Sequence, residues 1–379
     1  MAHGGGIAVA DSAEERHADT DEEPVDKRLS PWAALWRSLE SLGGATNPYR
    51  TFSWASAWLE RYAPDSRILV LDLSDQGTLA VMSTREIAGT RVLEPVGTGI
   101  SDYPGPVSTA SEGECWRGIA RSLANRRRDW DLLHLDAVVD VEAVVSALGS
   151  ELGVTPSWRV YEECPRVDAR ESFDALLARR GRNQRKAVKR IDRRVRELGP
   201  ISIESSAPPF GADDIGQLAE VERASWKWDR GDATFRNARQ SGFLSALLRD
   251  PEAPVRLWRL RIGDQLAAFA VVLEGERVWH FYLATYREDH PHTGAYLLNR
   301  IIEAACHDDE CDFFDLLRGR FDYKEAWMDE VRVLYEVICP NGWRGALLAY
   351  GYRIRWALAR SERLQRWRSM LLRVGDRRP

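Results

Sequence analysis

The stretch "FDLLRGRFDYKEAW", residues 314–327, begins as an apolar strand and within a few positions gathers Arg318, Tyr323, Lys324 and Trp327. A guanidinium suits two-pronged binding of an oxyanion, a lysine ammonium supplies a point charge, and a phenol can pass a proton. Asp315 stands inside the apolar part, where an acid must point outward or find a partner. A second candidate is "REDHPHTGAYLL", with Thr293 and Gly294 where a helix must begin. Free amides and the helix dipole there could hold a phosphate, and a glycine lets it approach closely. The plain alternatives are a solvated helix start whose Tyr and Trp pack on the core, and an ordinary capped helix. His290-x-His292 and the group Cys306, His307, Cys311 lack zinc-ligand spacing, so no metal is expected. There is no GxSxG turn, and "GTGISD" is not a dinucleotide fingerprint.

Two sets of elements must position these residues. "PWAALWRSLE" and "FSWASAWLERY" read as amphipathic helices, then "RILVLDL" and "TLAVMSTREI" as strands joined by "SDQG". After the irregular "GTGISDYPGPVS" come the helix "ECWRGIARSLANRRR", the strand "DLLHLDAV", another helix, and "WRVYEE". The second half repeats the order. Residues 173–198 form one predicted helix and "IGQLAEVERASWK" another, followed by the meander "VRLWRLRI", "LAAFAVVL" and "RVWHFYLATY". The helix "TGAYLLNRIIEAA" then leads to "DFFDLL", expected to be the last apolar strand. "WDLLHLDAV" (130–138) and "CDFFDLLRG" (311–319) each follow a helix and each open apolar-acidic, so the halves look like divergent copies of one module. The strands flanking that module's helix should be parallel neighbours, with ligands gathering at their ends.

Of 379 residues, the first 30 hold eight acids and three bases, which accounts for the whole net charge of −5. That lead is expected to be disordered. Nothing resembles a signal peptide or a membrane span, and five cysteines without a CxxC pair suit a reducing compartment; a cytosolic protein is predicted. From Arg179 to Arg196 there are ten basic residues, a pattern that fits phosphate or nucleic acid as well as a solvated helix face. Residues 341–379 carry ten arginines against two acids, with Leu364, Trp367, Met370, Leu371 and Val374 near helical spacing. This basic amphipathic segment would suit an anionic membrane surface, or the domain's own core.

Four strings in order, "ARRGRNQRKAVKRIDR", "ERASWKW", "TGAYLLNRII" and "FDLLRGRFDYKEAW", resemble the acetyltransferases of bacterial cellulose-biosynthesis (CelD-like) proteins. That family lies in the GNAT superfamily and is related to the FemAB peptidoglycan aminoacyl transferases. The match covers about residues 170–335, and "FSWASAWLERY" with "SDYPGPV" resembles the family's first half more weakly. The resemblance implies an α/β (α+β) chain of two tandem GNAT-like domains, each a mixed, mostly antiparallel sheet flanked by helices. Residues 31–165 would be structural or acceptor-binding and 166–340 catalytic. Strands 277–286 and 312–317 would splay to admit the pantetheine arm of acetyl-CoA, with Thr293, Gly294 and Ala295 at its pyrophosphate. "HPHTGAY" keeps only the glycine of the family's usual phosphate loop.

By the same resemblance, Arg182 and Asn183 would touch CoA phosphates or the acceptor. Arg318 and Lys324 would face an anionic or hydroxyl-rich acceptor, and Trp226 and Lys227 would line its groove or simply pack. Direct transfer requires a base, for which Asp315 and Glu222 are candidates, and Tyr323 could return a proton to the leaving thiolate. The expected reaction moves an acyl group, acetyl first, from CoA to an amine or hydroxyl of a sugar or envelope precursor. The competing readings are a non-catalytic binding module and a FemAB-like transferase using aminoacyl-tRNA; nucleic acid is otherwise not expected as a partner, because the folded part is neutral overall.

Overall fold

The computed structural model describes residues 27–44, 46–319 and 321–360. The first half runs α1 (Ala33–Ser41), α2 (Phe52–Tyr62), β1 (Arg67–Leu73), β2 (Thr78–Ile87), β3 (Thr90–Pro95) and β4 (Val107–Ser108). It continues with α3 (Glu112–Ala124), β5 (Leu132–Val138), α4 (Val141–Leu152) and β6 (Ser157–Asp168). The second half opens with α5 (Phe173–Arg179), α6 (Arg182–Arg196), β7 (Ile201–Ser206), α7 (Ala212–Arg223), α8 (Trp226–Arg230) and α9 (Ala238–Arg249). Then come β8 (Val255–Ile262), β9 (Gln265–Gly275), β10 (Val278–Tyr286), α10 (Thr293–Ala305) and β11 (Phe313–Asp315). The described chain closes with α11 (Asp322–Glu325), β12 (Glu330–Pro340) and α12 (Gly342–Arg360).

Local chemistry sets these boundaries. Ser111 and Glu114 form a reciprocal capping box at the start of α3. Gly153, at φ +65°, ends α4 in the left-handed conformation that a side chain would resist. The single helix expected over 173–198 is two, because Arg180 turns extended and buries its guanidinium against Asp329 at 2.6 and 2.9 Å. The chain also has a strand beyond "DFFDLL". Its residues 330–340 set three charges, Glu330, Arg332 and Glu336, among mostly apolar side chains, and Glu336 is drawn inside by a buried partner.

All the strands join one sheet in the order β1-β2-β3-β5-β12-β6-β11-β10-β9-β8-β7, with β4 beside β2. Its pairs are antiparallel except β3 with β5 and β10 with β11, the strands flanking α3 and α10. The halves therefore share a plan, a meander feeding a helix and a parallel strand, and together form two GNAT-like units. Their final strands are exchanged. β12 lies between β5 and β6 in the first half's territory, and β6 pairs with β11 of the second. The β6–β12 ladder is the seam. One core spans it, packing Trp54 of α2 on Phe243 of α9 and Tyr282 of β10 with ring centroids 4.9 and 5.4 Å apart. No helix among the described residues is long and apolar enough to cross a membrane.

In each half the parallel pair is short and then forks. β3 and β5 pair at Val92 with Leu132 and Leu93 with Leu133, and the next position holds His134 beside Glu94. His134 is buried, with its two ring nitrogens 2.8 Å from Glu94 and 3.0 Å from Glu336; Arg85 donates to both Glu94 oxygens, and Arg159 to the Glu336 oxygen that His134 leaves. Burial disfavours its cation, yet the bonds to Glu336 and Glu94 outweigh that and lift it to about 9. Since the ordinary value is 6.5, this stabilisation is fully present below about pH 6.5 and is lost as pH rises through about 9. Chemical-denaturation curves from pH 6 to 10 should show a loss on the order of 3 kcal/mol that His134→Gln lacks.

Candidate functional site

The second fork lies where β10 leaves β11. The two strands pair at Val278 with Phe313, Trp279 with Phe314 and His280 with Asp315. Beyond that point β10 bulges between Phe281 and Leu283 and runs on along β9 to Tyr286, while β11 turns toward β6, Leu316 and Gly319 donating to the carbonyls of Pro165 and Glu163. The expected splay of 277–286 from 312–317 is thus present after a short paired stem. Both forks open toward the middle of the β6–β12 ladder, because β5 and β11 run toward it from opposite ends.

Asp315 sits at the crotch, wholly buried. Its Oδ2 accepts from the Tyr103 hydroxyl at 2.6 Å, its Oδ1 from the Leu317 amide at 2.8 Å, and the Arg166 guanidinium stands 3.6 Å away. Burial pushes its carboxyl above the ordinary range, against the pull of Tyr103, Leu317 and Arg166. His280, its strand neighbour, is buried between the rings of Tyr49 and Tyr103, and neither ring nitrogen has a hydrogen-bond partner among the described residues. Burial and the cations of Arg166 and Arg332 drive its pKa down to about 3, so the imidazole is neutral.

Three of these groups come from the first half. The loop 96–106 fills the first fork, where the Gly99 amide donates to buried Asp136, and then reaches the second. There Asp102 accepts from Arg318 Nε at 2.5 Å and Tyr103 holds Asp315. Tyr49 stands 3.4 Å from the other Asp102 oxygen. The first half is therefore a wall of the second half's fork.

The other expected site residues divide. Arg318 is at the fork mouth, its Nη1 donating to Tyr161 at 3.1 Å. Lys324, expected to face the acceptor, is buried and donates to the carbonyls of Leu317 and Arg318. Burial lowers its pKa. Trp327 packs behind, stacked on Phe173. Tyr323 is 46 % exposed and stacks on Phe321 at the surface; the phenol in contact with Asp315 is Tyr103.

Glu222 is buried on α7, bonded to the Phe235 amide at 2.7 Å, with its other oxygen unpartnered among the described residues. Lys227 nearby donates to the Ala284 carbonyl of β10 at 2.6 Å, which ties α8 to the free-running arm of the fork, and burial lowers its pKa. Trp226 is half-buried under the Arg230 guanidinium.

At the start of α10, Thr293 is buried with its hydroxyl on the His290 carbonyl, and Ala295 is exposed. His292 precedes the helix at φ +72° and meets Arg194 of α6 at 2.9 Å. Arg182 and Asn183 lie at the other end of α6, roughly 18 Å along its axis from Arg194. They are exposed, with Arg182 lining a surface hollow between α5 and α6. Gly294 has a packing reason, since a Cβ there would come within 2.5 Å of the Tyr286 ring. Gly294→Ala should lower stability by about 1–3 kcal/mol in thermal unfolding, and adding Tyr286→Ala should relieve the clash itself. Among the described residues no cluster of His, Cys, Asp and Glu is arranged to hold a metal ion.

Two parallel pairs that fork after a short stem mark the sheet as GNAT-like. Residues 182–325 match the family described as acetyltransferase (GNAT) domain. Among solved structures, FemX matches at TM-score 0.57 and 10 % identity, covering 79 % of this chain and 95 % of its own. L-PGS from Bacillus licheniformis matches at TM-score 0.53 and 16 % identity over 83 % of this chain and 92 % of its own. A conserved protein of unknown function from Bacteroides thetaiotaomicron matches at 0.56 and 11 % over 81 % and 96 %. At these identities the likeness is one of fold. No curated protein matches in sequence.

Proposed function

We propose that the chain transfers an acyl group, acetyl in the simplest case, from acyl-CoA to an amine or hydroxyl of a sugar or cell-envelope precursor. The observation that carries this reading is the fork itself: a parallel pair that stops at His280 and Asp315, leaving one arm of β10 free of β11 with a buried carboxylate at its base. A thioester arm lying along residues 281–286 would bring its carbonyl toward the crotch. Asp315, raised by burial, accepts the acceptor's proton directly or through the Tyr103 hydroxyl. The new N–C or O–C bond forms as the C–S bond breaks, and the thiolate takes up a proton from the site or from water. Arg318 at the mouth favours an acceptor carrying a carboxylate or phosphate. His292 and Arg194 supply cationic or donor groups beside the α10 N-terminus for the CoA pyrophosphate, in place of the fuller glycine loop.

A second reading is aminoacyl transfer from tRNA, which the resemblance to FemAB implies and which the fold shared with FemX and L-PGS suits. The exposed basic face of α6, with Arg182, Arg185, Lys186, Lys189 and Arg190, supports it. Calorimetry separates the two. Acetyl-CoA should bind and, with pooled amino sugars, release thiol; binding without release under any acceptor would favour a binding module. Failure of CoA to bind, with charged tRNA binding steeply weakened by salt, would replace the donor.

A further inference from the structure

We propose that the outer face of α12 docks on an anionic lipid bilayer. The inner face of this helix is already satisfied: Leu348, Ala349, Tyr352 and Trp356 pack over Val92, Leu132 and Ile338. Gly345 sets the helix flush on β5, since a Cβ there would fall 1.7 Å from the Asp131 carbonyl oxygen, so its rotation is fixed by backbone contact. The opposite face is apolar as well. Trp343, Leu347, Tyr350, Ile354 and Leu358 are 73, 66, 58, 43 and 52 % exposed. At about 100° per residue they fall within roughly 80° of arc, a continuous stripe along the helix. A stripe of large side chains left open on a folded domain marks an interaction surface.

Charge selects the partner. Residues 342–360 contain no acid, and helical spacing sets Arg344 and Arg355 on one flank of the stripe and Arg353 on the other. All three arginines are exposed, although Arg355 also reaches Glu336 at 3.4 Å. Apolar side chains flanked on both sides by arginine are the pattern of a helix lying in the plane of a bilayer, its guanidiniums among phosphate headgroups. A second copy of the chain would bring arginine against arginine with no carboxylate on α12 to answer it. Residues 361–379 fit no better, holding six arginines and two acids. Leu364, Trp367, Met370, Leu371 and Val374, part of the expected amphipathic segment, lie outside the described residues.

The test is co-sedimentation of the full chain with large vesicles of equal parts phosphatidylcholine and phosphatidylglycerol, against vesicles of phosphatidylcholine alone. Binding to the anionic vesicles should be about tenfold stronger or more, and should fall at high salt. Leu347→Glu with Ile354→Glu should abolish it while circular dichroism and thermal unfolding stay unchanged, because neither side chain packs on the core. Arg353→Glu should weaken it. The proposal is overturned if the native chain ignores anionic vesicles, or if the double variant binds as well as the native chain. It is equally overturned if light scattering finds a dimer that the double variant dissolves, since the stripe would then belong to a second copy.

Discussion

Asp315→Asn should reduce acyl transfer by about 10²- to 10⁴-fold, the range over which removing a positioned base acts. The substitution keeps the shape of the crotch. Its carbonyl oxygen can still accept from the Leu317 amide, and its NH2 can donate to the Tyr103 oxygen, so stability should change far less than activity. The pH profile supplies a sharper reading. Burial holds the native carboxyl above its ordinary range, so activity should climb with pH as that group loses its proton, and the climbing limb should vanish in the variant. Single-turnover thiol release with the donor that calorimetry identifies would measure both. A variant that keeps more than a tenth of native activity with the same profile would remove Asp315 from the chemistry. Tyr103→Phe should cause a smaller loss, because the carboxylate remains while its bonded phenol is gone.

The largest loss of stability is expected at the other fork. Glu336→Ala would leave buried His134 with one carboxylate and Arg159 with none from that side chain, a change worth about 3–5 kcal/mol for a broken buried pair. Urea midpoints would report it. Replacing His134 and Glu336 together by leucine should recover much of the loss, since burying two apolar groups avoids the uncompensated charge. The two forks also differ in how fully their buried groups are bonded. At the equivalent positions the first half carries Glu94 and His134, locked into a fully bonded network, while the second carries His280 and Asp315, of which the imidazole has no bonded partner among the described residues.

Much of the plan was legible in the chain. The repeated order of meander, helix and apolar strand gave both halves, and "WDLLHLDAV" beside "CDFFDLLRG" marked the two strands that form the forks. Asp315 stood out because an acid in an apolar strand needs a partner. That partner was not legible, since Tyr103 lies 212 positions away in the irregular "SDYPGPV", where nothing in local spacing points across a seam. His280 was hidden in the same way, as a histidine in a strand has no signature until its neighbours are known. Lys324 looked like a ligand for an acceptor, but a buried ammonium takes the nearest carbonyls first. Gly294 looked like a phosphate contact, and the Tyr286 ring supplies a second reason for its small size. Strand β12 was missed because its charges, Glu330, Arg332 and Glu336, blurred an apolar alternation that only the long ladder with β6 makes sense of.

The exchanged strands bear on how this chain is made. A ribosome releasing the first half delivers β5 well before residues 330–340 exist to cover its flank, and β6 waits likewise for β11. Until then both edges are bare backbone, able to pair with any passing strand. Expressing either half by itself would make that interval permanent, and insoluble product is the expected yield. The sheet is continuous only once the last strand stands in its middle.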